Sequence, residues 1–196
     1  MCAASGPSFT AAQARLIAAA QPRWRVVVAN NSWQRVPSAD AMYAGDRAWW
    51  GMHLEAVKTR FAGECWTLNR WCAHNYGLHY VGHSDEPGLS LVHGRIHTGG
   101  NSGYAAIGLA YLFGARHIVL AGYDFQDTDG MSHWHGDHPA PLNPDRPYAG
   151  WIERMRPLIA GLQRVGVEII NCSIETAIDC IPRGDLETCL SSSTPV

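Results

Sequence analysis

HTGGNSGYAAIGLAYLFGARHIVLAGYDF, residues 97–125, decides how this chain is read. His97 to Gly103 is a glycine-rich loop, Tyr104 to Phe113 is an apolar run of helix length, and Gly114 stands where a helix is ended. His117-Ile118-Val119-Leu120-Ala121 follows as a short aliphatic run without polar alternation. Such a run predicts a strand covered on both faces, as in a parallel sheet. Loop, helix and strand in this order form part of a repeating strand–helix unit.

The same alternation extends outward in both directions. Toward the N-terminus, Arg25 to Ala29 predicts the first strand, ending in Asn30-Asn31-Ser32. Ala41 to Ala44 predicts a second strand, which stops at Gly45-Asp46 before a helix over Arg47 to Val57. Cys65 to Leu68 and His79 to Val81 read as further strands, and the Gly, Pro and His content of 85–101 predicts loop. Toward the C-terminus, Tyr148 to Val165 is amphipathic at helical spacing, Gly166 ends it, and Val167 to Asn171 is the last strand. Residues 8–20 predict a helix stopped by Pro22, so 1–22 is expected to pack on the outside of a domain spanning 23–190, with 191–196 as a frayed tail. The resulting fold class is α/β: one domain with a mostly parallel sheet and helices on both faces.

Composition agrees and excludes some functions. The chain has 196 residues, 46% hydrophobic and 16% charged, which suits one packed domain. Net charge is −2, Lys58 is the only lysine, and the arginines are scattered from Arg15 to Arg183, so no footprint for duplex nucleic acid is present. The longest strongly apolar stretch, Tyr104 to Ala115, is short of the roughly 18 residues a membrane span needs. Without a basic, signal-like start the expected location is the cytoplasm. Cys2, Cys65, Cys72, Cys172, Cys180 and Cys189 contain no C-x-x-C pair and read as buried thiols.

In an open α/β sheet a ligand lies beyond the carboxyl ends of the strands. The candidate binding residues are therefore Asn30, Asn31 and Ser32, Asp46, the loop Gly99-Gly100-Asn101-Ser102-Gly103, and Asp124. A glycine loop before a helix offers free N–H groups and the positive end of the helix dipole to an anion, with Asn101 or Ser102 as the cap. Gly-Gly-Asn-Ser-Gly matches neither the dinucleotide fingerprint nor the P-loop, and a plain helix-capping turn is the alternative. Ser132-His133-Trp134-His135-Gly136-Asp137-His138 concentrates imidazoles and a carboxylate. It can supply a general base, or ligate a metal through His133, His135 and His138. A surface loop with His133 and His135 on opposite sides is the alternative. Among the tryptophans, Trp33 is placed to stack on a ligand because it follows the first strand.

Asn101-Ser102-Gly103, Ala106, Ala110, Gly114-Ala115-Arg116, Ile118, Leu120, Gly122 and Asp124-Phe125 resemble the core of a Rossmann-like superfamily. It holds bacterial lipooligosaccharide sialyltransferases and archaeal 6-hydroxymethylpterin diphosphokinases. The strings VVVANNSW, YAGDRAWW, HWHGDHP and INCSIETAIDCIP more closely resemble small phage and prophage proteins, which imply no activity of their own but would place the chain in a host bacterial cytoplasm. The resemblance covers about 24–187 and implies a Rossmann-like fold. The sialyltransferase likeness implies nucleotide binding at Ala29 to Ser32 and at Asp46, where the relatives carry Asn, and it makes His133 the base that deprotonates an acceptor hydroxyl. Gln126 to Met131 is too short for the tyrosine-bearing lid of those enzymes, so a nucleoside diphosphate sugar or a triphosphate replaces a cytidine monophosphate sugar as the expected donor. The diphosphokinase likeness implies Mg2+ on Asp46, Asp124 and Asp137. Three readings result: a nucleotide- or nucleotide-sugar-dependent transferase with His133, His135 and Asp137 as its catalytic group; a non-catalytic nucleotide-binding or protein-docking module; and a magnesium-dependent diphosphotransferase. The acceptor is not specified, and self-association is left open.

Overall fold

The computed structural model describes residues 1–137 and 146–192. Seven strands form one sheet in which every pairing is parallel: β1 (Cys2–Ala3), β2 (Val27–Ala29), β3 (Ala41–Tyr43), β4 (Glu64–Thr67), β5 (His79–Tyr80), β8 (His117–Ala121) and β9 (Glu168–Asn171). Their order across the sheet is β5-β4-β3-β2-β1-β8-β9. A separate parallel pair, β6 (Gly82–Ser84) and β7 (Arg95–His97), leads into the glycine loop.

Alternation along each strand splits the core into two halves. Cys2, Val27, Ala29, Ala41, Tyr43, Ile118 and Leu120 face α4 (Ser102–Leu112) and α5 (Tyr148–Arg164). Ala3, Val28, Met42, Val119 and Ala121 face the opposite layer, built from α1 (Ala11–Ala19), α2 (Arg47–Arg60), α3 (Arg70–Tyr76) and α6 (Leu186–Ser191). Successive strand residues point to opposite faces, so both must be apolar, which is why the strands lack polar alternation. The chain is a single Rossmann-like α/β domain with helices on both faces. Among the described residues no helix is long and apolar enough to cross a membrane.

Two expectations are corrected. Residues 1–22 are not solely a helix packed on the outside: Cys2–Ala3 is the central strand, paired in register with Val27 and Val28 on one side and with Leu120 and Ala121 on the other. The stretch 85–101 is not all loop, because Arg95–His97 pairs with Gly82–Ser84. At the other end, α6 runs to Ser191 and Arg23 hydrogen-bonds the carbonyl of Ser192, so these two residues are held, while 193–196 lie outside the described residues.

Candidate functional site

From β1 the chain proceeds to β2 through β5 on one side, and β8 is followed by β9 on the other. The β1/β8 boundary is thus the topological switch point, where strand-end loops diverge and leave a crevice. A cavity of about 380 Å3 lies there, within the size range of small-molecule sites.

The first wall comes from the strand ends. Ser5 and Gly6 follow β1, Asn30 follows β2 and Asp46 follows β3. Asn30 has φ +47° and Phe125, after β8, has φ +53°. Asn is one of the few side chains that adopt this left-handed region readily, whereas a bulky Phe is an outlier there, and backbone strain of the kind at Phe125 is concentrated at functional sites. The Oδ1 of Asn30 is buried and makes no hydrogen bond. Asp46 is the N-cap residue of α2 yet makes no side-chain capping bond.

A second wall is the start of α4. Asn101 caps the helix, its Oδ1 accepting from the Tyr104 N–H at 2.9 Å. The N–H groups of Ser102 and Gly103 precede the first intrahelical donor and take part in no hydrogen bond among the described residues. The buried Nδ2 of Asn101 also has no partner. Phe125, Tyr148 and Trp151 also line the cavity, packed edge to face, with Phe125–Trp151 ring centroids 6.2 Å apart and Tyr148–Trp151 at 5.7 Å, and the Trp151 indole adjoins Gly100 of the loop before α4. Arg146 adds a cation to this wall.

The histidine loop closes the rim. Thr128-Asp129-Gly130-Met131 is a tight turn with φ +52° and +73° at its central residues and reciprocal Thr128–Met131 hydrogen bonds. It sends the chain back over the end of β1. There the Trp134 N–H donates to the Ser5 carbonyl at 3.1 Å, and Ser5 Oγ lies 3.1 Å from His133 Nδ1. His133 and His135 stack face to face at 5.1 Å, so both rings lie on one side of the loop, not on opposite sides. Trp134 turns toward the core beneath the Arg35 guanidinium, 4.0 Å from its ring. Asp137 accepts from Ser132 Oγ and from Arg146 Nη2, each at 2.8 Å, and these partners hold its carboxyl below the usual range.

Asp124 ties the two central strands together. Its Oδ2 accepts from the Ser8 N–H at 2.7 Å and its Oδ1 from Ser8 Oγ at 2.8 Å, with the residue 1% exposed. Burial raises its carboxyl above the ordinary value, against the lowering effect of the Ser8 bonds. Between the unfolded and the raised folded value, the native state keeps a proton that the unfolded chain has released. The stability contribution is therefore complete below the unfolded value and is lost as pH rises through the folded one. Asp124→Asn should flatten the dependence of unfolding free energy on pH in that window. Asp124→Ala orphans the Ser8 N–H and should cost about 1–3 kcal/mol in urea unfolding.

Of the residues singled out in the sequence, Asn30, Asp46, Gly100, Asn101, Ser102, Gly103, Asp124 and His133 line the cavity. Asn31, Ser32 and Gly99 do not. Asn31 is buried and accepts from Trp49 Nε1 at 2.8 Å, Ser32 is fully buried, and Gly99, at φ +57°, packs on the Tyr104 ring. His135 and Asp137 support the loop from outside the lining, and His138 lies outside the described residues. Trp33 is 1% exposed and belongs to the core, whereas Trp49 and Trp151 reach the cavity. Ser5, Gly6, Arg146 and Tyr148 were not signalled, although the Asp129-Gly130 dipeptide does mark the turn that brings His133 to Ser5.

Two of the three carboxylates expected to hold magnesium are engaged within the protein. Asp124 spends both oxygens on Ser8, Asp137 is paired with Arg146, and only Asp46 is left uncommitted. Among the described residues no group of three His, Cys, Asp or Glu converges for a metal. Comparison with protein-family models, curated proteins and solved structures finds no match.

Proposed function

We propose that the switch-point cavity binds a nucleotide or nucleotide sugar and that His133 removes the proton of an acceptor hydroxyl as the sugar is transferred. One observation carries this reading: unpartnered N–H donors at the start of α4 and an imidazole anchored on Ser5, just after β1, line the same cavity. The N–H groups of Ser102 and Gly103, together with Arg146, suit a phosphate, which a helix N-terminus stabilises by both hydrogen bonding and its dipole. Phe125 and Trp151 suit a base or sugar ring. Asp46 suits ribose hydroxyls, since a carboxylate accepts two hydrogen bonds and donates none. The resemblance of residues 101–125 to the sialyltransferase superfamily points to the same assignment. The magnesium-dependent diphosphotransferase gains nothing from the engaged state of Asp124 and Asp137.

Thermal melts with nucleoside mono-, di- and triphosphates and nucleotide sugars test the reading. A ligand at about a hundredfold its dissociation constant adds about 2.7 kcal/mol. In a chain of this length that raises the melting temperature by about 5–11 °C. A melting temperature unmoved by every compound would refute it.

A further inference from the structure

The hydroxyl nearest the catalytic imidazole is the protein's own. Ser5 Oγ lies 3.1 Å from His133 Nδ1, and Ser5 is 9% exposed at the carboxyl end of the central strand. This is the distance and pairing of a nucleophile with its base. The Ser5 carbonyl takes the Trp134 N–H, so strand and loop are fastened at this residue by two bonds. Ser8, the other serine of the turn, gives its hydroxyl to Asp124 and is not available in this way. Asn101 Nδ2, buried without a partner, and the free N–H groups of Ser102 and Gly103 line the same cavity. Backbone N–H groups and an Asn side-chain amide are the donors that stabilise the oxyanion of acyl transfer.

We infer that Ser5 and His133 form a nucleophile–base pair and that the cavity also carries covalent acyl transfer from a carboxylic ester. Ser5 Oγ attacks the ester carbonyl carbon while its proton passes to His133 Nδ1. The carbonyl electron pair moves to oxygen, facing Asn101 and the α4 donors. On collapse the bond to the alcohol breaks, and the alcohol leaves with the proton returned by His133. Water, deprotonated by His133, then attacks the acyl-serine, releasing the acid and restoring Ser5. The inference shares its base with the proposed transferase but needs no nucleotide, so either reading can fail while the other stands.

Diisopropyl fluorophosphate, which reacts with activated serines by losing fluoride, is the probe. Intact mass and peptide mapping of the full chain should show one adduct, on Ser5. The adduct should be absent in Ser5→Ala and should form about 100-fold more slowly in His133→Ala, the scale of a lost general base. His133→Gln serves in its place if melting shows that His133→Ala is unfolded. No adduct on wild-type Ser5, an adduct on another residue, or an unchanged rate in the folded His133 variant overturns the pairing. Nucleotide-induced melting shifts are read separately and do not enter this outcome.

Discussion

Gly122→Ala is expected to cost about 2–5 kcal/mol, measured by denaturant unfolding, because it violates two constraints at once. Gly122 has φ +71°, a conformation costing an L-residue about 1–2 kcal/mol. An added Cβ would also lie 2.5 Å from the Ala4 carbonyl oxygen and 2.8 Å from Phe9 Cβ. Overpacking of this kind costs a further ~1–3 kcal/mol. The obstructing atom is backbone of the segment that continues β1, so relief requires parting β1 from β8, where Ala4 N–H binds Ala121 O and Gly6 N–H binds Gly122 O, both at 2.9 Å. Gly114→Ala is the control. It has φ +89° but nothing within 4 Å of the added atom, so only the conformational cost of about 1–2 kcal/mol applies. Equal losses at the two sites would show that the switch point is not tightly packed.

His133→Ala is expected to lower turnover by about 10²–10⁴-fold while leaving the nucleotide-induced melting shift in place. The substitution removes the imidazole but leaves the Trp134-to-Ser5 backbone bond and the Ser132–Asp137 bond that hold the loop. The α4 donors and Arg146 are separate from the ring, so ligand affinity is retained. A protein that only sequesters its ligand would show the same shift and no turnover in either form. That pattern would assign the chain to the non-catalytic reading.

How much was legible in the sequence follows from where the signal lay. The Ile118–Leu120 run and the apolar α4 segment declare a doubly covered strand and a buried helix, because full burial imposes apolar residues at every position. Cys2–Ala3 carries no such signature. Two small residues show no period, and their place at the centre of the sheet is fixed by hydrogen bonds on both sides. Losing that strand also hid Ser5 and Gly6, the residues at the switch point itself. Trp33 and Trp49 could not be separated by spacing. The 3-10 turn at Asn30–Gln34 carries Trp33 into the core, whereas Trp49, one turn into α2, reaches the cavity and donates to Asn31. Arg146 and Tyr148 belong to the start of α5, which periodicity identified as a helix without indicating which strand ends it approaches.

The central claim is that the β1/β8 switch point is where the ligand binds. Its most direct test is a two-dimensional amide and imidazole NMR titration of the labelled chain with whichever nucleotide most raises the melting temperature. The account predicts saturable shifts of the Ser102 and Gly103 amides, of Asn30 and of the His133 ring, with residues around Gly166 and Glu168, at the far ends of α5 and β9, unmoved. Saturable binding whose shifts fall elsewhere and spare Ser102, Gly103 and His133 would contradict it.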